Sequence, residues 1–266
     1  MPTRDEPVDI VVDGQAISGT VVAPTRRVPG VLFVHGWGGS QEQYITRARA
    51  IAALGCICLT FDLRGHVETR RQKEKVSRED NLRDVLAAYD FLVRQRSIDP
   101  ERVAVVGSSY GGYLATVLTE MRPVRWLALR VPALYKDSEW NEPKGRLKST
   151  QDLEAYRRTP VRSGESRALR ACAAFRGDVL IVESEHDSVV PHQVIVNYRE
   201  ACTRARSLTY RVIEGADHGL SEPKCQQAYT SLLVTWLSEM AVGTRASVEP
   251  AQPISGHVER QAATQG

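Results

Sequence analysis

Short, nearly continuous apolar runs recur along most of the chain, separated by stretches in which polar and apolar positions mix at helical spacing. Residues 31–34, 56–61, 103–106, 126–131, 179–182 and 208–213 are such runs, and their content of β-branched residues fits strands covered on both faces. Between most of them the pattern predicts helices at about 41–54, 79–94, 110–121, 191–205 and 223–240. In the second of these, Leu82, Val85, Leu86, Tyr89 and Leu92 return at steps of three and four, which draws one apolar stripe along a helix. Strands alternating with helices imply βαβ units, hence an α/β fold with a mostly parallel central sheet and helices on both faces. Ahead of it, alternation within 8–12 and 17–22, on either side of Asp13-Gly14, predicts an antiparallel hairpin.

One interval breaks the rhythm. Residues 132–176 hold several short amphipathic segments and no clear strand, which predicts a lid-like insertion over the C-terminal edge of the sheet, where open α/β folds bind ligands. The expected organisation is therefore one domain over residues 1–241 and a loose, polar tail over 242–266.

Composition narrows the function. A net charge of +3 in 266 residues, with no basic helix interleaved with aromatics, argues against nucleic acid as a partner. Five cysteines without a CxxC pair suit neither a disulfide framework nor a zinc site. No stretch approaches the roughly 18 apolar residues of a membrane span, and the first residues lack a signal-like apolar core, so the expectation is a cytoplasmic protein that does not enter membranes.

The candidate chemistry lies where strands end. Gly107-Ser108-Ser109-Tyr110-Gly111 is a G-x-S-x-G motif between a predicted strand and a predicted helix, the setting that holds the central serine on a tight turn with its hydroxyl exposed. Ser109 is the candidate nucleophile. A serine hydroxyl needs a base, and His218, in the loop after the last predicted strand, emerges at the same sheet edge. The imidazole in turn needs a carboxylate. Asp187, just past the strand at 179–182, is the first choice, with Glu183 and Glu185 as rivals; Asp217 is too close in sequence to aim at its neighbour. The glycine-rich turn His35-Gly36-Trp37-Gly38-Gly39 can present backbone amides to a developing oxyanion, with the Tyr110 amide as second donor. It lacks the spacing of a P-loop or of a dinucleotide fingerprint.

Together with Asp62-Leu63-Arg64-Gly65-His66 and His186-Asp187-Ser188-Val189-Val190-Pro191, these motifs give the chain a resemblance to the α/β-hydrolase superfamily from about residue 8 to 240. The Ser-Tyr-Gly-Gly elbow is most similar to the dienelactone hydrolase and prolyl oligopeptidase branches and to small bacterial acyl esterases. The resemblance implies that Trp37 and Tyr110 donate the oxyanion amides and that 62–66 is a structural turn. Val67 stands where a glycine often follows Arg-Gly-His, which puts the path of that loop in question.

The expected activity is hydrolysis of a small or medium acyl ester through an acyl-enzyme, with a peptidase or amidase, or a non-catalytic binding module of the same fold, as alternatives. No metal or organic cofactor is implied; the expected partner is a small-molecule acyl substrate. Within the insertion, Trp140 and Tyr135 either line an acyl pocket or form the small core that holds the insertion down. Eight Lys/Arg against four Asp/Glu between 141 and 170 either attract an anionic substrate or coat a solvated face. Nothing in the pattern speaks to oligomeric state.

Overall fold

The computed structural model describes residues 3–12, 15–24, 27–147 and 152–246. β1 (Thr3–Val12) and β2 (Gln15–Pro24) pair antiparallel as a two-stranded ladder; Asp13-Gly14 lies outside the described residues. Six further strands form one sheet: β3 (Val28–Val34), β4 (Ile57–Thr60), β5 (Ile98–Ser108), β6 (Trp126–Arg130), β7 (Asp178–His186) and β8 (Ser207–Asp217). Their order is β4-β3-β5-β6-β7-β8, and every neighbouring pair is parallel.

The apolar runs read as two-sided strands because their side chains alternate between two cores. Leu32, Val105, Leu127 and Ile181 face one, beneath α2 (Arg78–Val93), α3 (Tyr110–Leu118), α5 (Arg167–Ala174) and α6 (His192–Ala201). Phe33, Val106, Ala128 and Leu180 face the other, beneath α1 (Glu42–Ala52) and α7 (Pro223–Ala246). Helix α2 starts at a capping box in which Ser77 Oγ accepts from the Asp80 amide at 3.1 Å and Asp80 accepts from the Ser77 amide at 3.0 Å.

Two expectations need correction. β8 is an edge strand, not one buried on both faces: Ile213 and Ala216 turn inward while Leu208 and Val212 are exposed. The last helix continues past residue 240 to Ala246, because nothing in Val242-Gly243-Thr244 is strong enough to break it; residues 247–266 of the expected tail lie outside the described residues.

Between β6 and β7 the described residues make short pieces, among them 3₁₀ turns at Lys144–Arg146 and Ser163–Glu165, α4 (Leu153–Arg157) and α5. Leu147, Leu153 and Leu169 fasten this interval to the core that α2 and α3 share. Among the described residues no helix is long and apolar enough to cross a membrane.

Candidate active site

All strands of the sheet run the same way, so the turns after β3, β5, β7 and β8 leave one edge together. The turn after β5 is the tightest. Ser109 stands between strand and helix at φ 52°, ψ −118°, a conformation that costs a non-glycine residue on the order of 1–3 kcal/mol and points its side chain away from the helix. The backbone on either side is crowded. A Cβ on Gly107 would lie 2.5 Å from the Gly111 carbonyl oxygen, and one on Gly111 would run into the Val34 and His35 carbonyls. Glycine is therefore required at both positions. The elbow is also tied to β6: the Ser109 amide donates to Arg130 O at 2.9 Å, and Ser109 O accepts from the Ala133 amide at 3.0 Å.

The turns after β7 and β8 bring the other two groups to this serine. His218 Nε2 lies 3.0 Å from Ser109 Oγ, and Nδ1 lies 2.7 Å from Asp187 Oδ2. Asp187 can only accept when ionised, so Nδ1 carries the proton and Nε2 is left to accept from the hydroxyl. The side chain of Asp187 is buried, and its Oδ1 accepts from the Val189 and Val190 amides at 2.7 and 2.8 Å. Burial pushes this carboxyl up, but the His218 hydrogen bond and the two amides outweigh it and hold the group below its ordinary value.

The rival acids are engaged elsewhere. Glu183 bonds His192 and Tyr210, Glu185 accepts from the Gly215 amide, and Asp217 holds Ser221.

The glycine-rich turn after β3 is set by two buried histidines. His35 Nε2 accepts from the Leu63 amide at 3.0 Å while Nδ1 donates to Gly36 O at 2.8 Å. His66 Nε2 accepts from the Gly38 amide at 3.0 Å, and its Nδ1 faces the Leu63 and Arg64 carbonyls. Burial above all holds both imidazoles below the ordinary histidine value, so both are neutral. Trp37 packs edge-on against the rings of His66 and Tyr110. Tyr110 is the first residue of α3, so its amide is one of the donors a helix leaves without an internal partner.

Val67, the departure from glycine, adopts φ 42°, so the loop keeps a left-handed residue at that point and bears the strain of a β-branched side chain there. Asp62 meanwhile accepts from the Gln41 amide and side chain at 2.8 and 2.9 Å, tying the turn to the start of α1.

A cleft of about 300 Å³ opens on Ser109 and His218. Tyr135 and Trp140 do not line it, which corrects the acyl-pocket reading. Tyr135 is buried edge-on against Tyr110 and Tyr113. Trp140 donates to Glu79 at 2.6 Å and packs against the Arg78 and Arg167 guanidinium groups. Both belong to the core that anchors the insertion. Arginines of the basic interval are likewise engaged locally, Arg158 with Glu154, Arg167 with Glu120 and Arg170 with Asp137.

The positive groups facing the cleft are instead Arg47 from α1 and Arg130 at the end of β6. Neither was a candidate from the sequence. The signal for Arg130 was the Trp126–Arg130 run itself, an apolar strand that ends on a charge at the functional edge. Among the described residues no group of three or more His, Cys, Asp or Glu is gathered as a metal would need.

Comparison with known proteins bears on this arrangement. A model of the prolyl oligopeptidase family matches residues 42–244. An uncharacterized protein of Mycobacterium tuberculosis is 26% identical over 244 residues, spanning 88% of this chain and 80% of the relative. The quorum-quenching protein AidA of Acinetobacter baumannii is 32% identical over 124 residues, 44% of this chain and 41% of the relative. Among solved structures, one from the work on the metagenome-derived lipolytic enzymes LipS and LipT matches with a TM-score of 0.62 at 18% identity, covering 88% of this chain and 97% of the other. Dienelactone hydrolase from Anabaena variabilis matches with 0.56 at 19% identity, covering 88% and 96%. At these identities the structural likeness speaks for the fold alone, the α/β-hydrolase fold. The family match extends over most of the chain, from α1 into α7, and the chain belongs to the prolyl oligopeptidase family.

Proposed function

We propose that the protein is a serine hydrolase that cleaves the carboxylic ester of a small or medium acyl group through an acyl-enzyme. The observation that carries this reading is the unbroken series Asp187–His218–Ser109, at 2.7 and 3.0 Å, ending on a serine in a strained left-handed turn. In the proposed reaction Ser109 Oγ attacks the acyl carbon as its proton passes to His218 Nε2. The Trp37 and Tyr110 amides receive the oxyanion, each donor of this kind contributing about 2.7–4 kcal/mol to the transition state. Collapse breaks the bond to the leaving alcohol, which takes the proton from His218. A water, deprotonated by His218, then attacks the acyl-enzyme and releases the acid. Asp187 holds the imidazole and stabilises its cationic form. The five free cysteines fit a reducing compartment such as the cytoplasm; the lid role expected of residues 132–176 gains no support from the cleft, since none of their described residues lines it.

A peptidase or amidase is the second reading, favoured by the family match itself and by 26% identity over 224 residues to a probable dipeptidyl-aminopeptidase B of Sordaria macrospora, of which this chain covers 24%. The two readings are separated by parallel assays on p-nitrophenyl esters and aminoacyl anilides. Esters turned over faster is the expected result; anilides turned over much faster would replace the esterase with a peptidase. A fluorophosphonate probe that fails to label Ser109 in the folded protein would remove both.

A further inference from the structure

Arg130 is 7% exposed, yet among the described residues no carboxylate pairs with it. Its Nε donates to Ser108 Oγ at 3.2 Å and its Nη1 to His218 O at 2.9 Å and Ser184 Oγ at 3.5 Å, all neutral oxygens. Its Nη2 holds no protein hydrogen bond among the described residues. Arg47, half-buried on α1, shares the lack of a counter-charge among the described residues. Its Nη1 donates to Gln43 O at 2.6 Å, its Nε is buried without a partner, and its Nη2 also has none among the described residues. Both guanidinium groups pack on the Tyr229 ring, 5.1 Å from its centroid for Arg47 and 5.8 Å for Arg130. Both line the cleft that opens on Ser109 and His218, and among the described residues no Asp or Glu lines it.

A charge withdrawn from water without a counter-charge is costly to a fold. Arg78, 0% exposed, is also without a carboxylate among the described residues, but it is spent inside the fold on the Lys136 and Ser138 carbonyls and the Tyr113 hydroxyl, away from the cleft. Arg47 and Arg130 differ in facing the cleft with donors left over. Two unpaired cations on one aromatic ring, beside the candidate nucleophile, are arranged for an anion that arrives from solution. Two open Nη2 groups match the two oxygens of a carboxylate. At about 300 Å³ the cleft sits at the small end of ligand cavities, so the anion and the scissile carbonyl must belong to one compact molecule.

We propose that Arg47 and Arg130 form a carboxylate-binding subsite, and that the substrate is a compact ester carrying a free carboxylate close to the bond that is cleaved. This deepens, and rests on, the reading of Ser109 as nucleophile.

The test is calorimetric binding to Ser109→Ala, which needs no turnover. Two matched pairs place the carboxylate on either side of the ester: meta-acetoxybenzoate against its methyl ester, and monophenyl adipate against phenyl hexanoate. In at least one pair the carboxylate is expected to bind about tenfold tighter or more than its neutral partner, the scale of one charge-assisted hydrogen bond. Adding Arg47→Gln is expected to bring that ratio to about threefold or less, and Arg130→Gln provides an independent second variant should Arg47→Gln misfold. Equal binding within both pairs, or a preference that survives both arginine changes, overturns the subsite. An aryl phosphate analogue that binds tighter than the carboxylate overturns the assigned class. Fluorophosphonate labelling of the wild-type protein reports on Ser109 separately. Absent labelling with intact arginine-dependent carboxylate binding would defeat the hydrolase reading and leave the subsite standing.

Discussion

His66 Nε2 accepts a hydrogen bond from the Gly38 amide at 3.0 Å, across 28 positions of sequence. A buried imidazole thus fixes the turn that carries Trp37, and it can do so only while that nitrogen is unprotonated. His35 holds the Leu63 amide in the same way.

Acid should therefore loosen this corner before it affects the rest of the fold. Burial keeps the folded histidines below their ordinary value of 6.5. Between the lowered folded value and 6.5 the unfolded chain binds more protons, so stability rises with pH through that window and is lost as pH falls below about 6.5. Urea unfolding at about pH 7.5 and about pH 5 should show a clear loss on the acid side, smaller in His66→Gln. Identical slopes for the two proteins would remove His66 from this role.

Ser109→Ala should fold normally, since alanine tolerates the strained turn no worse than serine, and should lose about 10⁴- to 10⁶-fold in kcat, because groups that act as a unit fail together. Ester hydrolysis with active-site titration checks this. Residual activity within about tenfold of the parent would mean that another group is the nucleophile.

Asp187→Asn should lower kcat by about 10⁴-fold by presenting the wrong imidazole tautomer. It also changes acid stability in a defined direction. The folded carboxyl sits below its unfolded value of 3.8, so its contribution is complete above that value and disappears as pH falls through the folded one. The stability gap between parent and variant should accordingly close below about pH 4. A gap that is constant with pH would mean that the carboxylate's charge plays no part.

Val67→Gly should leave stability unchanged or raise it by up to about 2.5 kcal/mol. Relief of a β-branched residue at φ 42° is worth about 1–3 kcal/mol, and added chain entropy takes back about 0.5–1. The side chain is 48% exposed, so little burial is lost. A measured loss above about 1 kcal/mol would show that the valine packs rather than strains.

The sequence was most legible where physics demands repetition. Residues 31–34, 103–106 and 179–182 had to be apolar without interruption because helices cover both faces, and that pattern could be read directly. Ser109, Asp187 and His218 could be placed together because each follows the end of a parallel strand. β8 misled because its residues 208–213 look like an interior run, although Leu208 and Val212 face outward and, among the described residues, no strand pairs beyond it. Tyr135 and Trp140 stayed open between two roles for a different reason: an aromatic that lines a cavity and one that anchors a loop look the same in sequence. Arg47 and Arg130 escaped notice because one lies on a helix and the other ends a strand, and only folding brings both guanidinium groups to Tyr229.

The insertion between β6 and β7 is rooted in the core by Leu147, Leu153 and Leu169, while the elbow is tied by backbone bonds to Arg130 and Ala133. The insertion and the elbow therefore stand on one foundation: Ala133 opens the insertion and bonds Ser109, and the three leucines share their core with Tyr110 and Leu114. A loop exchange that removes these anchors should disturb the reacting atoms, whereas one that spares them should not.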